Sequence, residues 1–397
     1  MRTCLHCLIF LCCLTSIGRA SWAQATEPKL LAKIPFRQLT GGVILLDAKL
    51  HGIADTLHFL FDTGSGGISL DSETVHRLHL PRVPSNVTIR GIAGTHPVDF
   101  VHDLSLDLPG FRIDSLLFHV SDYTLLSSVY GEKIDGVMGY AILSRFVVKI
   151  DFDSLLFSFY AKGGCPYPPG GYMLKPHIVK LPIQEARARD AKDLPLKFLF
   201  DMGAGLNLLF SRKFVQNTPL FHKKRKFYPK LAQGVGGEVQ MELTILKEFR
   251  LGPYRFRNIP TYIFEDEHNV IGYPQLSGLI GIDLLRRFNH ILDYEKKEFY
   301  LIPNSHFTDG FDYAYSGMEL IVKKGIIFVS QVVANSPAEK AGIKEGDEII
   351  SIGRGFPMSL AYCRWQLQKI GKRLPIKIKR EGKILEMRCT VERIKTR

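Results

Sequence analysis

The chain has 397 residues, 46% hydrophobic and 23% charged, with a formal net charge of +13. That composition excludes a disordered or fibrous chain, and the length accommodates two or three domains. The basic balance admits an anionic partner, but no nucleic-acid-binding motif accompanies it.

The N-terminal segment reads as a leader. Arg2 precedes an apolar run, Cys4–Leu14, interrupted only by His6, and Ala23-Gln24-Ala25 follows as a small-x-small cleavage pattern. This is the layout of a secretory signal peptide over residues 1–25. The apolar run is too short to span a bilayer comfortably. The expectation is an exported chain, periplasmic or secreted, whose mature form starts near Thr26. Of the seven cysteines, Cys4, Cys7, Cys12 and Cys13 fall in the leader. The remaining Cys165, Cys363 and Cys389 do not make a disulfide framework. Cys363 and Cys389 either pair or stay as buried thiols.

From residue 26 to 162 the pattern is mostly strands. Alternation of apolar and polar residues is visible in Val43–Leu50 and Val98–Leu106. Between them lies Leu60-Phe61-Asp62-Thr63-Gly64-Ser65-Gly66, then a Gly-rich turn, Arg90-Gly91-Ile92-Ala93-Gly94. Next come Gly136-Val137-Met138-Gly139, one short helix around Tyr140–Phe146, and Ile150-Asp151-Phe152. Residues 163–172, rich in Gly and Pro, read as a linker.

Residues 173–303 repeat the series. Leu199-Phe200-Asp201-Met202-Gly203-Ala204-Gly205 is followed by Gln233-Gly234-Val235-Gly236-Gly237, with alternation in Glu238–Ile245. Gly278-Leu279-Ile280-Gly281 and one short helix around Ile282–Phe288 come next. Leu285-Arg286-Arg287-Phe288 matches Leu143-Ser144-Arg145-Phe146, and Leu292-Asp293-Tyr294 matches Ile150-Asp151-Phe152. Measured from each aspartate, the later landmarks of the second copy are all displaced by three residues. A shared displacement marks a duplication with one short insertion. Asp151 and Asp293 read as hairpin residues, Asp135 as a turn residue, and His222–Lys226 as a solvated basic loop.

The duplicated motif has a chemistry of its own. An apolar strand running into Asp, a small residue and Gly puts a carboxylate at a tight strand-to-turn junction. Two such copies, brought together by a pseudo-two-fold, place two carboxylates side by side. Like charges that close share one proton. One carboxylate then acts as base on a water while the other polarises a carbonyl. This is peptide hydrolysis that needs no cofactor. Ser65 is a poor alternative nucleophile, because too little chain precedes it to present a His and an Asp. No HExxH, paired CxxC, P-loop or GxGxxG is present.

Phe61-Asp62-Thr63-Gly64-Ser65 resembles the active-site motif of pepsin-like and retroviral-type aspartic proteases. Val137-Met138-Gly139 and Leu279-Ile280-Gly281 are similar to the hydrophobic-hydrophobic-Gly that threads beneath that loop. The resemblance covers about residues 30–303. It implies an all-β, two-lobed acid-protease barrel fold acting on a polypeptide substrate. It makes Asp62 and Asp201 the catalytic pair, supported by Thr63, Gly64, Ser65, Met202, Gly203 and Ala204. Flaps would stand at Gly91–Gly94 and Gly234–Gly237. Met202 departs from the family, which has Thr or Ser there to bond across to the opposite loop. Met cannot replace that hydroxyl. An inactive, peptide-binding scaffold is therefore the alternative to an active endopeptidase.

Residues 309–395 change character. Ser336-Pro337-Ala338-Glu339-Lys340-Ala341-Gly342 followed by Asp347–Ile352 reads as a short helix, a turn and a strand, with Pro in the first turn and Gly at the end. This stretch resembles bacterial PDZ domains, an α+β fold. The resemblance implies a carboxylate-binding loop at Gly317-Met318-Glu319-Leu320 and a groove helix over Leu360–Ile370. A peptide C-terminus would bind there, unless the domain serves as a brace with its groove closed. The expected assembly is a monomer that binds neither metal nor nucleic acid.

Overall fold

A computed structural model describes residues 29–91, 94–163, 165–234, 237–266, 276–354 and 359–396. The segment expected to be a leader and the turn residues Ile92, Ala93, Val235 and Gly236 lie outside the described residues.

Alternating burial organises each lobe into a closed barrel. In the first, strands Ile44–Leu50, Leu57–Phe61, Gly136–Met138, Ile68–Asp71, Phe111–Ser121 and Phe100–Leu108 follow one another around the barrel. Pairing of Lys49 and Leu50 with Asp107 and Leu106 closes it. In the second, the order is Pro182–Arg189, Asp193–Asp201, Leu276–Gly281, Leu208–Ser211, Tyr254–Phe264 and Gly237–Leu251. Arg187–Arg189 close it against Glu248–Arg250. Six strands in each barrel, in the same order, are what the duplicated landmarks anticipate.

The lobes share a six-stranded sheet region that is continuous with the first barrel through the pairing of Phe36–Gln38 with Ile44–Leu46. Tyr172–Leu174, Glu298–Pro303 and Phe288–Asp293 come from the second half, and Val147–Asp151, Leu156–Tyr160 and Leu30–Gln38 from the first. The seam is Val148 opposite Leu292 and Ile150 opposite His290. Aromatic rings fill the space between this sheet and the barrels: Phe61 meets Phe157 at 4.9 Å and Phe200 meets Phe299 at 5.1 Å, both edge to face. The residue before each motif aspartate is thereby locked in the core, which fixes where the carboxylates emerge. Asp151 and Asp293 are hairpin residues, accepting from the amides of Asp153 and Ser154 and of Lys296. Asp135 is buried and accepts from His58 N at 2.9 Å and Thr74 Oγ1 at 2.7 Å, so it braces a turn.

Two sequence expectations need correction. One helix per repeat was too few. Besides Tyr140–Leu143 and Ile282–Leu285, the first lobe holds Ser72–Arg77 and Thr124–Tyr130 and the second Arg212–Asn217. Asp71 and Ser211 cap two of them, accepting from the amides three residues on. These helices are too short for a periodic apolar stripe, so only the caps mark them in sequence. The basic run is not wholly solvated either. Arg225 is buried against Asp190 and donates to Ile245 O at 2.6 Å, a long-range pairing that composition does not reveal.

The C-terminal unit is a five-stranded sheet, Met318–Lys323, Ile326–Val332, Glu348–Ile352, Arg373–Arg380 and Lys383–Thr390, with Met318–Lys323 at one edge. Ser336 caps helix Pro337–Lys340, accepting from Glu339 N. Helix Leu360–Leu367 lies alongside the edge strand. Cys363 and Cys389 are both buried in this core as free thiols, and Cys165 is free and buried elsewhere.

Candidate active site

Asp201 ends, and Asp62 directly follows, a strand that pairs in parallel with the threaded strand of its own lobe. Phe61 lies opposite Met138, and Asp62 N donates to Met138 O at 2.9 Å. In the second lobe Asp201 lies opposite Gly281. The threaded strand also pairs antiparallel with the outgoing limb, Ile68 against Met138 and Leu208 against Ile280. Each aspartate therefore sits in a loop whose two limbs are zipped to one strand. The glycines ending those strands are obligatory on space: a Cβ on Gly139 would lie 2.4 Å from Ser65 O, and one on Gly281 2.1 Å from Leu206 O.

The two loops meet at the lobe interface and put the carboxylates face to face. Asp62 and Asp201 are hydrogen-bonded to one another. Gly64 N donates to Asp62 Oδ1 at 2.6 Å, and Gly203 N and Ala204 N donate to Asp201 Oδ1 at 2.9 and 3.0 Å. Each following glycine also faces the opposite carboxyl. A Cβ on Gly64 would lie 2.8 Å from Asp201 Cγ, and one on Gly203 2.3 Å from Asp62 Cγ. Both carboxyls remain partly open to the cleft, yet protein crowds them, and this desolvation is the largest cause raising both pKa values. Asp201 is raised well above the ordinary carboxylate value, with the charge of Asp62 adding to the effect, while hydrogen bonds oppose the rise at Asp62. Like charges this close cannot both ionise freely, so the pair shares one proton.

The cross-loop lock is half present. Buried Thr63 donates its hydroxyl to Phe200 O at 2.6 Å and accepts from Met202 N at 2.9 Å. Met202 is fully buried, so its thioether packs in the apolar core and leaves the reciprocal bond unmade.

Two hairpins rise over this floor. Thr88–Gly91 pairs with Gly94–Pro97, and Tyr228–Gly234 pairs with the start of Gly237–Leu251. Gly91, Gly94, Gly234 and Gly237 thus stand next to the hairpin turns, as the Gly-rich motifs imply. The cleft beneath, a cavity of about 1850 Å³, is lined by Asp62, Asp201 and residues of both lobes. Sequence reasoning missed Tyr123 and Tyr130, which also line it. Tyr123 bonds Ser69 Oγ at 2.7 Å, and burial pushes both phenols up to about 12.

The C-terminal unit completes the wall. Gly317, Met318, Glu319 and Leu320, placed in a carboxylate-binding loop on sequence, line the same cavity as the two aspartates, together with Arg364, Leu367 and Gln368. Glu319 takes an ion pair from Lys230 of the second hairpin at 2.6 Å. Tyr228 packs on Tyr315 at 5.1 Å. No signal in the sequence points to this docking, because it joins residues that share no motif.

Residues 46–142 and 188–284 match the family model for aspartyl proteases, and residues 315–391 match that for PDZ domains. The two aspartyl protease segments fall on the two barrels, each containing one motif aspartate. No curated protein matches the chain.

Proposed function

We propose that this chain, which carries two aspartyl protease lobes and a PDZ domain, is an aspartic endopeptidase that hydrolyses an extended polypeptide between its lobes. One observation carries the reading: two crowded carboxyls, hydrogen-bonded to one another, sit at the meeting point of the lobes with backbone amides fixing each. Asp62 in its ionised form takes a proton from the attacking water. Asp201, holding the shared proton, donates to the scissile carbonyl as charge develops on its oxygen. After attack, the proton on Asp62 passes to the leaving amine. The hairpins over the cleft would close on the substrate and exclude water from the pair.

The polypeptide is the partner, the enzyme acts as a monomer, and the leader routes it to the periplasm or outside the cell. Asp62→Asn and Asp201→Asn each abolish cleavage of a degenerate peptide library while leaving the circular dichroism spectrum unchanged. Turnover retained in either variant rejects the pair.

Met202 favours a second reading, a peptide-binding scaffold without turnover. Met202→Thr separates the two. On the endopeptidase reading it alters an existing rate modestly; on the scaffold reading it creates a rate where none was measured.

A further inference from the structure

We propose that Arg364, on the groove helix of the PDZ domain, holds a carboxylate of the polypeptide lying in the active cleft. The inference rests on the endopeptidase reading for its substrate, but on separate residues for its chemistry.

The two ends of the groove between Met318–Lys323 and Leu360–Leu367 differ, and one of them lines the cleft. At the other, Gly131 lies against Val322 and Leu360, close enough that a Cβ there would be 3.3 Å from Val322 Cγ2 and 3.5 Å from Leu360 Cδ2. Helix Thr124–Tyr130, which Gly131 terminates, packs along the same edge strand. The cleft end, at Met318–Ile321 and Arg364, faces the cavity that contains Asp62 and Asp201. The PDZ domain thus contributes a wall to the catalytic cleft.

Arg364 is the unbalanced charge of that wall. Its guanidinium donates to Leu320 O at 3.0 Å and makes no ion pair among the described residues. Burial lowers its pKa, but an arginine stays charged regardless. The opposite charge that acts on it, Glu319, is shared with a second cation. Glu319 is engaged by Lys230. Asp312 is engaged by the backbone amide of Ala314 at 2.9 Å. Across the cleft, Asp283 pairs with Arg286 at 2.9 Å. A half-buried guanidinium with unused donors fits a carboxylate in a two-pronged contact. That carboxylate comes either from the chain terminus or from an Asp or Glu side chain.

The test uses the full-length Asp201→Asn chain, so that binding is read without cleavage. Fluorescein-labelled degenerate peptide pools of equal length, built without Asp or Glu at the random positions, are compared by anisotropy: one with a free C-terminus, one amidated, and one amidated with a fixed internal Glu. At least one carboxylate-bearing pool binds roughly tenfold tighter than the neutral pool. Adding Arg364→Gln removes that preference, and Arg364→Lys retains part of it. Preference for the free terminus assigns the terminal carboxylate; preference for the Glu pool assigns the side chain. Equal binding of all three pools, or none, overturns the proposal. So does an Arg364→Gln variant that weakens neutral and carboxylated pools alike, since that is the behaviour of a groove brace. A wild-type chain that cleaves nothing, while the carboxylate preference persists, rejects the endopeptidase reading and keeps the Arg364 contact.

Discussion

Thr63 and Met202 occupy matching positions in the two copies but do opposite things. Thr63 bridges to Phe200 O and Met202 N, whereas Met202 is buried in the core. Thr63→Val orphans a buried carbonyl and a buried amide, at a cost of about 1–3 kcal/mol. Chemical denaturation checks this, and kcat should fall further than the stability loss explains. Met202→Thr removes buried volume and offers one new hydrogen bond worth about 1 kcal/mol. Its melting temperature should fall slightly, with kcat within about tenfold of wild type. Gly203→Ala is more severe, because its methyl would overlap Asp62 Cγ. Pushing the carboxyls apart should cost about 100-fold or more in kcat/KM. The departure at Met202, and Thr63 keeping its own side of the lock, were legible through the resemblance; the atoms that Thr63 meets, Phe200 O and Met202 N, were not, since they depend on how the loops meet.

The carboxyls also set a pH dependence of stability. A folded-state pKa raised above the unfolded value contributes stability that is fully present below the unfolded value. It is lost as pH rises through the folded value. Asp201 is raised well above 3.8. Asp201→Asn cannot ionise, so its melting temperature should rise relative to wild type as pH increases from about 4 to 8. A difference that stays flat over that range would contradict the assignment of the proton.

At the scale of elements, the duplication was readable because each element needs a particular residue at a particular place. The threaded strands need their glycines, the hairpins need Gly-rich turns, and the motif aspartates follow buried phenylalanines. Elements that lack such a signature were lost. Thr124–Tyr130 has no side-chain cap, and nothing in its sequence says that it will meet the PDZ edge strand. The paired arginines show one element put to two uses. Arg145 clasps Asp114 O and Ser115 O within its own lobe. Its counterpart Arg287 is fully buried, donates to Asp309 O at 2.6 Å and lies over the Phe311 ring at 4.2 Å. It therefore anchors the connector to the PDZ domain. Arg287→Lys should cost about 2–4 kcal/mol and expose that connector to limited proteolysis. Arg145→Lys, in a half-buried position, should cost about 1 kcal/mol or less. Equal losses in the two variants would reject the anchoring role.

For the whole molecule, sequence pattern separated the three units but could not orient them. Orientation depends on packing between Tyr228, Leu243 and Ile245 of the second lobe and Tyr315 and Ile394 of the C-terminal unit. Those residues are unremarkable in sequence. The outcome is a PDZ domain turned towards the carboxylate pair, its loop joined to the second hairpin through Lys230 and Glu319. Everything then converges on Asp62 and Asp201 acting as one proton-sharing unit. The pH profile of kcat/KM tests that claim most directly. The account predicts a bell, whose acid limb is protonation of Asp62 and whose alkaline limb is loss of the proton from Asp201, both lying above the ordinary carboxylate value. A rate that climbs steadily with pH, or no hydrolysis of any peptide across the range, would contradict it.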